Sequence, residues 1–420
     1  MSTPKQSTKK HTFIDIFAGC GGLSLGLMQA GWEGLFAIEK DVFAFQTLQH
    51  NLVSDSTDLN FTWPKWLPKQ AHAVGEVLEK YNAKLQSLAG KVDLIVGGPP
   101  CQGFSSAGRR DPNDPRNKLV EYYLEFVSVI KPKLVLIENV KGITHDFDDA
   151  KSEDGKINYS KWIVEALAEN YSVHSKLIDT SLFGVPQRRN RFFIVAIRKD
   201  LAGQTEFDPF AAIESDRQSF LRLKGISAIP VSSKSAISDL EVSRNGTRPS
   251  IDTRGFNDVN YRAPLTSFQK LMNKGRGQDV PDTRLARHKP EIVERFKKII
   301  EICQQNGRLN ISLSAELKAS FGLKKCAIRV LDPDNISPTI TSMPDDLIHY
   351  SEPRILTVRE NARLQSFPDW FAFKGKYTSG GDRRKKEVPR FTQVANAVPP
   401  LAAEAIGRTL FKQLSALTQI

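Results

Sequence analysis

Six short apolar runs alternate with helical patterns over the first half of the chain, and this alternation limits the fold more than any other feature. The runs are Thr12–Phe17, Leu35–Glu39, Val92–Val96, Lys133–Glu138, His174–Leu177 and Arg191–Ile197. Helix-like stretches lie between them, among them Leu23–Ala30, Leu119–Ile130 and Trp162–Glu169. Strands that are apolar along most of their length must be covered on both faces. Separated by helices, they predict an α/β fold built on a doubly wound, mostly parallel sheet. Such sheets bind ligands outside the carboxyl ends of their strands, so the residues that close each run carry the functional expectation.

After Lys199 the alternation stops. Residues 200–330 are rich in Arg, Ser, Asn and Gly and predict a second, smaller, loop-rich domain with one helix at Pro290–Gln304. A polar stretch from Thr144 to Ser160 reads as a surface insertion in the first domain. Regular structure returns with Thr357 and Glu360 at capping-box spacing, and a last helix is expected from Leu401 towards Leu414. The expected organisation is therefore a first unit over 1–200, a small domain over 201–350, and a segment 351–420. The end of that segment, about 390–420, returns to the first unit.

The formal net charge of +12 points to a polyanionic partner, and its distribution says more than its size. Residues 251–300 carry eleven Lys/Arg against six Asp/Glu, and residues 374–390 carry seven against two, including Arg383 to Lys386. Four widely spaced cysteines (Cys20, Cys101, Cys303, Cys326) without neighbouring histidines argue against a disulfide framework or a structural zinc site. The polar, basic start from Met1 to His11 shows no secretory signal, and no apolar run has the length of a membrane span. A cytoplasmic protein is expected, without a bound metal.

Four strand ends hold chemistry-bearing residues. The first run passes through Phe17, Ala18, Gly19, Cys20, Gly21 and Gly22 into a helix, a turn whose glycines let a ligand approach the backbone. Glu39 closes the next run about twenty residues later, where an acidic side chain can accept bonds from ribose hydroxyls. The spacing departs from G-x-G-x-x-G, so a nucleoside-bearing cofactor fits better than a pyrophosphate. The third run leads into Gly97 to Ser105, "GGPPCQGFS". A free cysteine is usually buried and inert, but prolines and glycines at a strand's carboxyl end make a stiff loop that can hold a thiol at the ligand edge. The fourth run ends in Glu138-Asn139-Val140, where a partly buried carboxylate can serve as a general acid. Gln187-Arg188-Arg189-Asn190-Arg191 precedes the last run, and strand alternation puts Arg189 and Arg191 on one face, one to orient Glu138 and the other to contact phosphate. These residues by themselves leave open a nicotinamide-dependent dehydrogenase or a DNA-binding scaffold without activity.

Taken in order, the motifs resemble those of the C5-cytosine-specific DNA methyltransferases that use S-adenosylmethionine. "DIFAGCGGLSLGL" resembles their cofactor loop, Glu39 their ribose acid and "GGPPCQGFS" their nucleophile loop. "ENV", "QRRNR", "RENARLQSFPD" and "QVANAVPP" follow in the family's order, and the divergent residues 201–325 fall where the family keeps its target-recognition domain. The resemblance implies a Rossmann-like methyltransferase fold that transfers a methyl group to a flipped-out cytosine in a specific duplex DNA sequence. It assigns Cys101, Glu138, Arg189 and Arg191 to catalysis. It assigns Phe17, Ala18, Gly19, Gly21, Gly22, Glu39, Pro99, Asn396 and Ala397 to S-adenosylmethionine, and Gln102, Ser105 and Arg189 to DNA. RNA is an alternative substrate on the same scaffold, though the long middle region favours DNA. Two positions depart from the family pattern. Ala73 stands where an acidic residue contacts adenine, with Asp55 or Asp58 as substitutes, and Ala395 replaces the usual glycine before Asn396. A monomeric bacterial or phage modification enzyme with a separate restriction endonuclease is the implied setting, associated with the nucleoid through its DNA.

Overall fold

In the computed structural model a six-stranded sheet runs through the first half of the chain. The described residues are 10–54, 59–100, 118–148, 156–202, 208–275, 279–323, 327–379 and 387–418. Cys101, Gln102 and Ser105 lie outside them, as do Asp55, Asp58 and Arg383 to Lys386. The strands are β1 (Thr12–Ile16), β2 (Glu33–Ile38), β3 (Leu94–Gly97), β4 (Leu134–Val140), β5 (Tyr171–Asp179) and β6 (Asn190–Arg198). Their order across the sheet is β2-β1-β3-β4-β6-β5. β1 pairs in parallel with β2 and β3, and β3 with β4, whereas β6 runs antiparallel to both β4 and β5. The sheet is thus mostly parallel with an antiparallel end. The chain steps from β1 to β2 on one side and returns to β3 on the other, which opens a crevice at the carboxyl ends of β1 and β3.

Helices α1 (Gly22–Gln29), α2 (Val42–Leu52), α3 (Val74–Lys80), α4 (Lys118–Ile130) and α5 (Tyr159–Ala168) connect these strands. Val135, Leu136, Ile95 and Val96 are fully buried, as expected for strands covered on both faces. The fifth run extends beyond His174–Leu177 because it forms the outer strand of the sheet. Ser175, Lys176 and Leu177 are exposed in its middle, which breaks up the apolar signal along the strand.

The middle region holds more helix than its composition suggests. Helix α6 (Pro209–Lys224) starts at Asp208, whose carboxylate accepts from the amides of Phe210 and Ala211. Pro209 occupies its first turn, and Gly225 ends it in the left-handed region (φ 66°). Phe210, Ile213, Phe220 and Leu221 bury into the same core as the sheet, so α6 packs with the first unit. A second core forms around α7 (Pro290–Gln305) through Phe296, Ile299, Ile300 and Cys303, joined by Leu313, Val330 and Ile348.

Helix α8 (Val358–Leu364) carries the expected capping box: Thr357 accepts from the Glu360 amide, and Glu360 accepts from the Thr357 amide. Helices α9 (Arg390–Asn396) and α10 (Pro400–Thr418) then bring the chain end back against α1. The contact is close because glycines line it. A Cβ on Gly26 would sit 2.4 Å from the Ala403 Cβ, and the Gly407 carbonyl accepts from the Trp32 indole at 2.9 Å.

Candidate active site

The carboxyl ends of β1, β2, β3 and β4 converge on one edge of the sheet. After Ile16 the backbone turns sharply, with left-handed φ at Phe17 (63°), Gly19 (57°) and Gly21 (95°). A non-glycine residue in that region is uncommon, so Phe17 is held there by the turn. The Ala18 amide donates to the Ile38 carbonyl at 3.0 Å, which ties the turn to β2. Nothing lies within 4 Å of where a Gly19 side chain would point, so a ligand can approach the backbone there. Gly22 has no such space: a Cβ would meet the Val398 carbonyl at 2.5 Å, so α1 and the last motif share one wall.

Glu39 stands across the turn. One carboxylate oxygen accepts from the Gly19 amide at 2.9 Å and the other from the Asp41 amide at 2.7 Å. Burial pushes its carboxyl above the usual range, against those two amides. The oxygens retain lone pairs for further donors. The nearby His72 amide donates to the Glu39 carbonyl at 2.8 Å, which brings exposed Ala73 to the same strand end. Asn396 is exposed and Ala397 buried at the end of α9. This donor and acceptor set, with open space over Gly19, fits a nucleoside cofactor. Cys20 points away from it into the core, where its thiol lies 3.7 Å from the Gln393 carbonyl and burial raises it to about 12, which keeps it inert.

At the end of β4, Glu138 Oε1 lies 2.8 Å from Arg191 Nε, with both side chains nearly buried. The contact is a close ion pair without hydrogen-bond alignment at that oxygen. Sheet register explains it. Glu138 faces Phe193 and Val140 faces Arg191 across the antiparallel β4–β6 pair, so Arg191 is the same-face diagonal neighbour of Glu138. Gly98 packs against the acid, since a Cβ there would be 3.2 Å from Glu138 Oε2. Asn139 turns its amide the other way and donates to the Pro99 carbonyl at 3.1 Å. Pro99 is buried, and the chain proceeds from it towards Cys101. Asn139 lies within the "ENV" motif of the sequence reading but received no role there, because an asparagine beside a strand-end carboxylate has no pattern of its own.

Arg189 has a different occupation from the DNA contact expected of it. Its side chain is only 1% exposed, and its guanidinium donates to the carbonyls of Ala395 (2.7 Å) and Ala397 (3.1 Å). Burial and the neighbouring Arg191 charge lower its affinity for the proton, and Glu138 works in the opposite sense. In this position it braces the last motif and faces away from solvent. Gln187 is likewise structural: it donates to Gln365 Oε1 at 2.6 Å and accepts from the Ile340 amide.

Over residues 11–412 the chain matches the model of the C-5 cytosine-specific DNA methylase family. It is 31% identical over 415 residues to the Type II methyltransferase M.DdeI of Desulfomicrobium norvegicum, covering 94% of this chain and 88% of that one. It is 30% identical over 421 residues to the Type II methyltransferase M.XorII of Xanthomonas oryzae, covering 96% and 84%. Among solved structures, an E. coli prophage protein described as a DNA modification methyltransferase superposes with a TM-score of 0.65 at 24% identity. That likeness is one of fold and covers 97% of this chain and 100% of the other. The chain belongs to the C-5 cytosine-specific DNA methylase family, S-adenosylmethionine-dependent enzymes that methylate carbon 5 of cytosine in DNA.

Proposed function

We propose that this enzyme methylates one cytosine within a specific duplex DNA sequence. It would act as a cytoplasmic, nucleoid-associated monomer, as the modification half of a restriction–modification pair whose endonuclease is a separate protein. The Type II methyltransferases among its relatives support the setting. The observation that carries the chemistry is the Glu138–Arg191 pair at the end of β4, beside the loop that leads from Pro99 to Cys101.

Phe17, Ala18, Gly19, Gly21, Gly22, Glu39, Pro99, Asn396 and Ala397 would hold S-adenosylmethionine, which supplies a methyl group on a positively charged sulfur. The target base must leave the duplex to reach this edge, at a cost of a few kcal/mol of stacking and pairing. The Cys101 thiolate then adds to carbon 6 of the ring, forming an S–C bond and making carbon 5 a nucleophile. Glu138 donates a hydrogen bond or proton to ring nitrogen 3, offsetting the charge that develops there, while Arg191 keeps the carboxyl oriented. Carbon 5 would accept the methyl group that the cofactor supplies when bound, its sulfur leaving as a neutral thioether. Loss of the carbon-5 proton to a base and cleavage of the S–C6 bond return the thiolate. Gln102 and Ser105 on the same loop, with the Arg-rich middle region, would hold and read the DNA.

Labelled methyl transfer from S-adenosylmethionine to unmethylated, mixed-sequence duplex DNA tests this reading, with tRNA as the comparison substrate. The native enzyme should label DNA, and Cys101→Ser should bind DNA without turnover. Retained turnover in Cys101→Ser would refute the nucleophile. A native enzyme that labels no cytosine-containing DNA, or only tRNA, would refute the substrate.

A further inference from the structure

Residues 247–259 form a hairpin in which Thr247–Pro249 pairs antiparallel with Asn257–Val259. Its tip exposes Ile251 (79%), the most exposed large apolar side chain among the described residues, together with Arg254. The same tip is clamped from behind. The Arg284 guanidinium lies 4.2 Å from the Phe256 ring centroid and 3.5 Å from that of Tyr377, and the Arg390 guanidinium lies 4.2 Å from the Tyr377 centroid. The Tyr377 hydroxyl donates to Asp252 at 2.8 Å, and Arg390 pairs with both Asp252 and the buried Asp282. This column joins three segments far apart in sequence.

Its far end is fixed to the catalytic edge. A Cβ on Gly375 would come within 2.5 Å of the Phe43 side chain, and the Val388 amide donates to Asp41 at 3.1 Å. Asp41 and Phe43 directly follow Glu39 at the carboxyl end of β2. A solvated ion pair would orient the tip weakly. Planar guanidinium groups stacked on rings, with a carboxylate shared between hydroxyl and arginine, fix both distance and angle.

We propose that the Phe256–Arg284–Tyr377–Arg390 column is a positioning device for DNA recognition. It holds the tip carrying Ile251 and Arg254 against duplex DNA at a fixed offset from Glu138. The inference rests on the reading of the middle region as the part that reads DNA. Tyr377→Leu removes stack and hydroxyl, whereas Tyr377→Phe keeps the stack. The readouts are kcat and the KM for DNA by label transfer, the spectrum of methylated sites by bisulfite sequencing of treated plasmid, and an unfolding midpoint. Tyr377→Leu should keep kcat within roughly twofold, raise the DNA KM about tenfold and methylate sites outside the native spectrum. Tyr377→Phe should restore the native spectrum. A folded Tyr377→Leu enzyme with native KM and native site spectrum would overturn the proposal, as would a loss confined to kcat. Should Tyr377→Leu not fold, Arg284→Lys, which keeps the charge but not the planar stack, is read by the same criteria. A native enzyme that transfers no methyl group to DNA would instead refute the functional reading.

Discussion

Gly26→Ala probes the close contact between α1 and α10. The added Cβ would lie 2.4 Å from the Ala403 Cβ, 2.6 Å from the Pro400 carbonyl oxygen and 2.7 Å from the Glu404 amide nitrogen. Carbon contacts settle near 3.5–4.0 Å, so α1 and α10 would have to part by roughly 1 Å. Two of the three atoms are backbone and cannot rotate away. Overpacking of this kind costs about 1–3 kcal/mol, and the backbone contacts put it at the upper end. Alanine recovers about 1 kcal/mol of helix propensity, which leaves a net loss of about 1–2 kcal/mol. The displacement also reaches the edge proposed to hold the cofactor, because α1 begins at Gly22 and α10 follows Ala397. Urea unfolding should therefore show a lower midpoint, and calorimetry with S-adenosylhomocysteine a weaker affinity. The double variant with Ala403→Gly relieves only the side-chain contact and should recover part of the loss. A midpoint equal to or above that of the native enzyme would refute the reasoning, since it would mean that the helices separate freely.

Two further predictions follow from single residues. Asp15 is fully buried beside Ser24, and burial raises its carboxyl from 3.8 to about 7. The folded state therefore keeps a proton that the unfolded chain has lost, so this group's contribution falls as pH rises from about 4 to 7 and is absent above that. Relative to Asp15→Asn, the native enzyme should lose stability between pH 5 and pH 8, on the order of a few kcal/mol at most, in paired denaturant titrations. Parallel curves would refute the burial argument. Ala73 is the exposed N-cap of α3 and makes no side-chain cap. Ala73→Asp should add about 1 kcal/mol of stability by capping, and it should tighten S-adenosylmethionine binding in calorimetry. Stabilisation without tighter binding would show that the adenine side of the cofactor lies elsewhere.

Much of the fold was legible because burial on both faces leaves a dense signal. Val92–Val96 and Lys133–Glu138 are apolar enough to be read as strands without any neighbour, and Thr357 and Glu360 announce α8 through local capping alone. Helix α6 was missed because its surface is polar and its apolar residues are spread among charges, although Asp208, Pro209 and Gly225 mark its ends. The polar clusters that fasten the middle region to the catalytic unit could not be read in advance. Arg363, fully buried, pairs with Asp239 and Asp369, and Arg359 pairs with Asp282. In the sequence each of these charges looks like a solvated surface residue, and only long-range contact makes it interior.

Local order along the chain determined the strand–helix alternation, the glycine turn after β1, and the set of chemical groups at the strand ends. These depend on neighbours a few residues apart, so they survive in one dimension. Which groups meet was decided by the tertiary structure. Had β6 run parallel to β4, Arg191 at its start would lie at the opposite edge from Glu138 at the end of β4. The antiparallel pairing puts both on one edge, 2.8 Å apart. The same return of the chain gives the carbonyls of Ala395 and Ala397 to Arg189, so Arg189 becomes a brace while Arg191 faces the acid. Strand direction is set by packing over the whole sheet, and no short stretch of sequence encodes it.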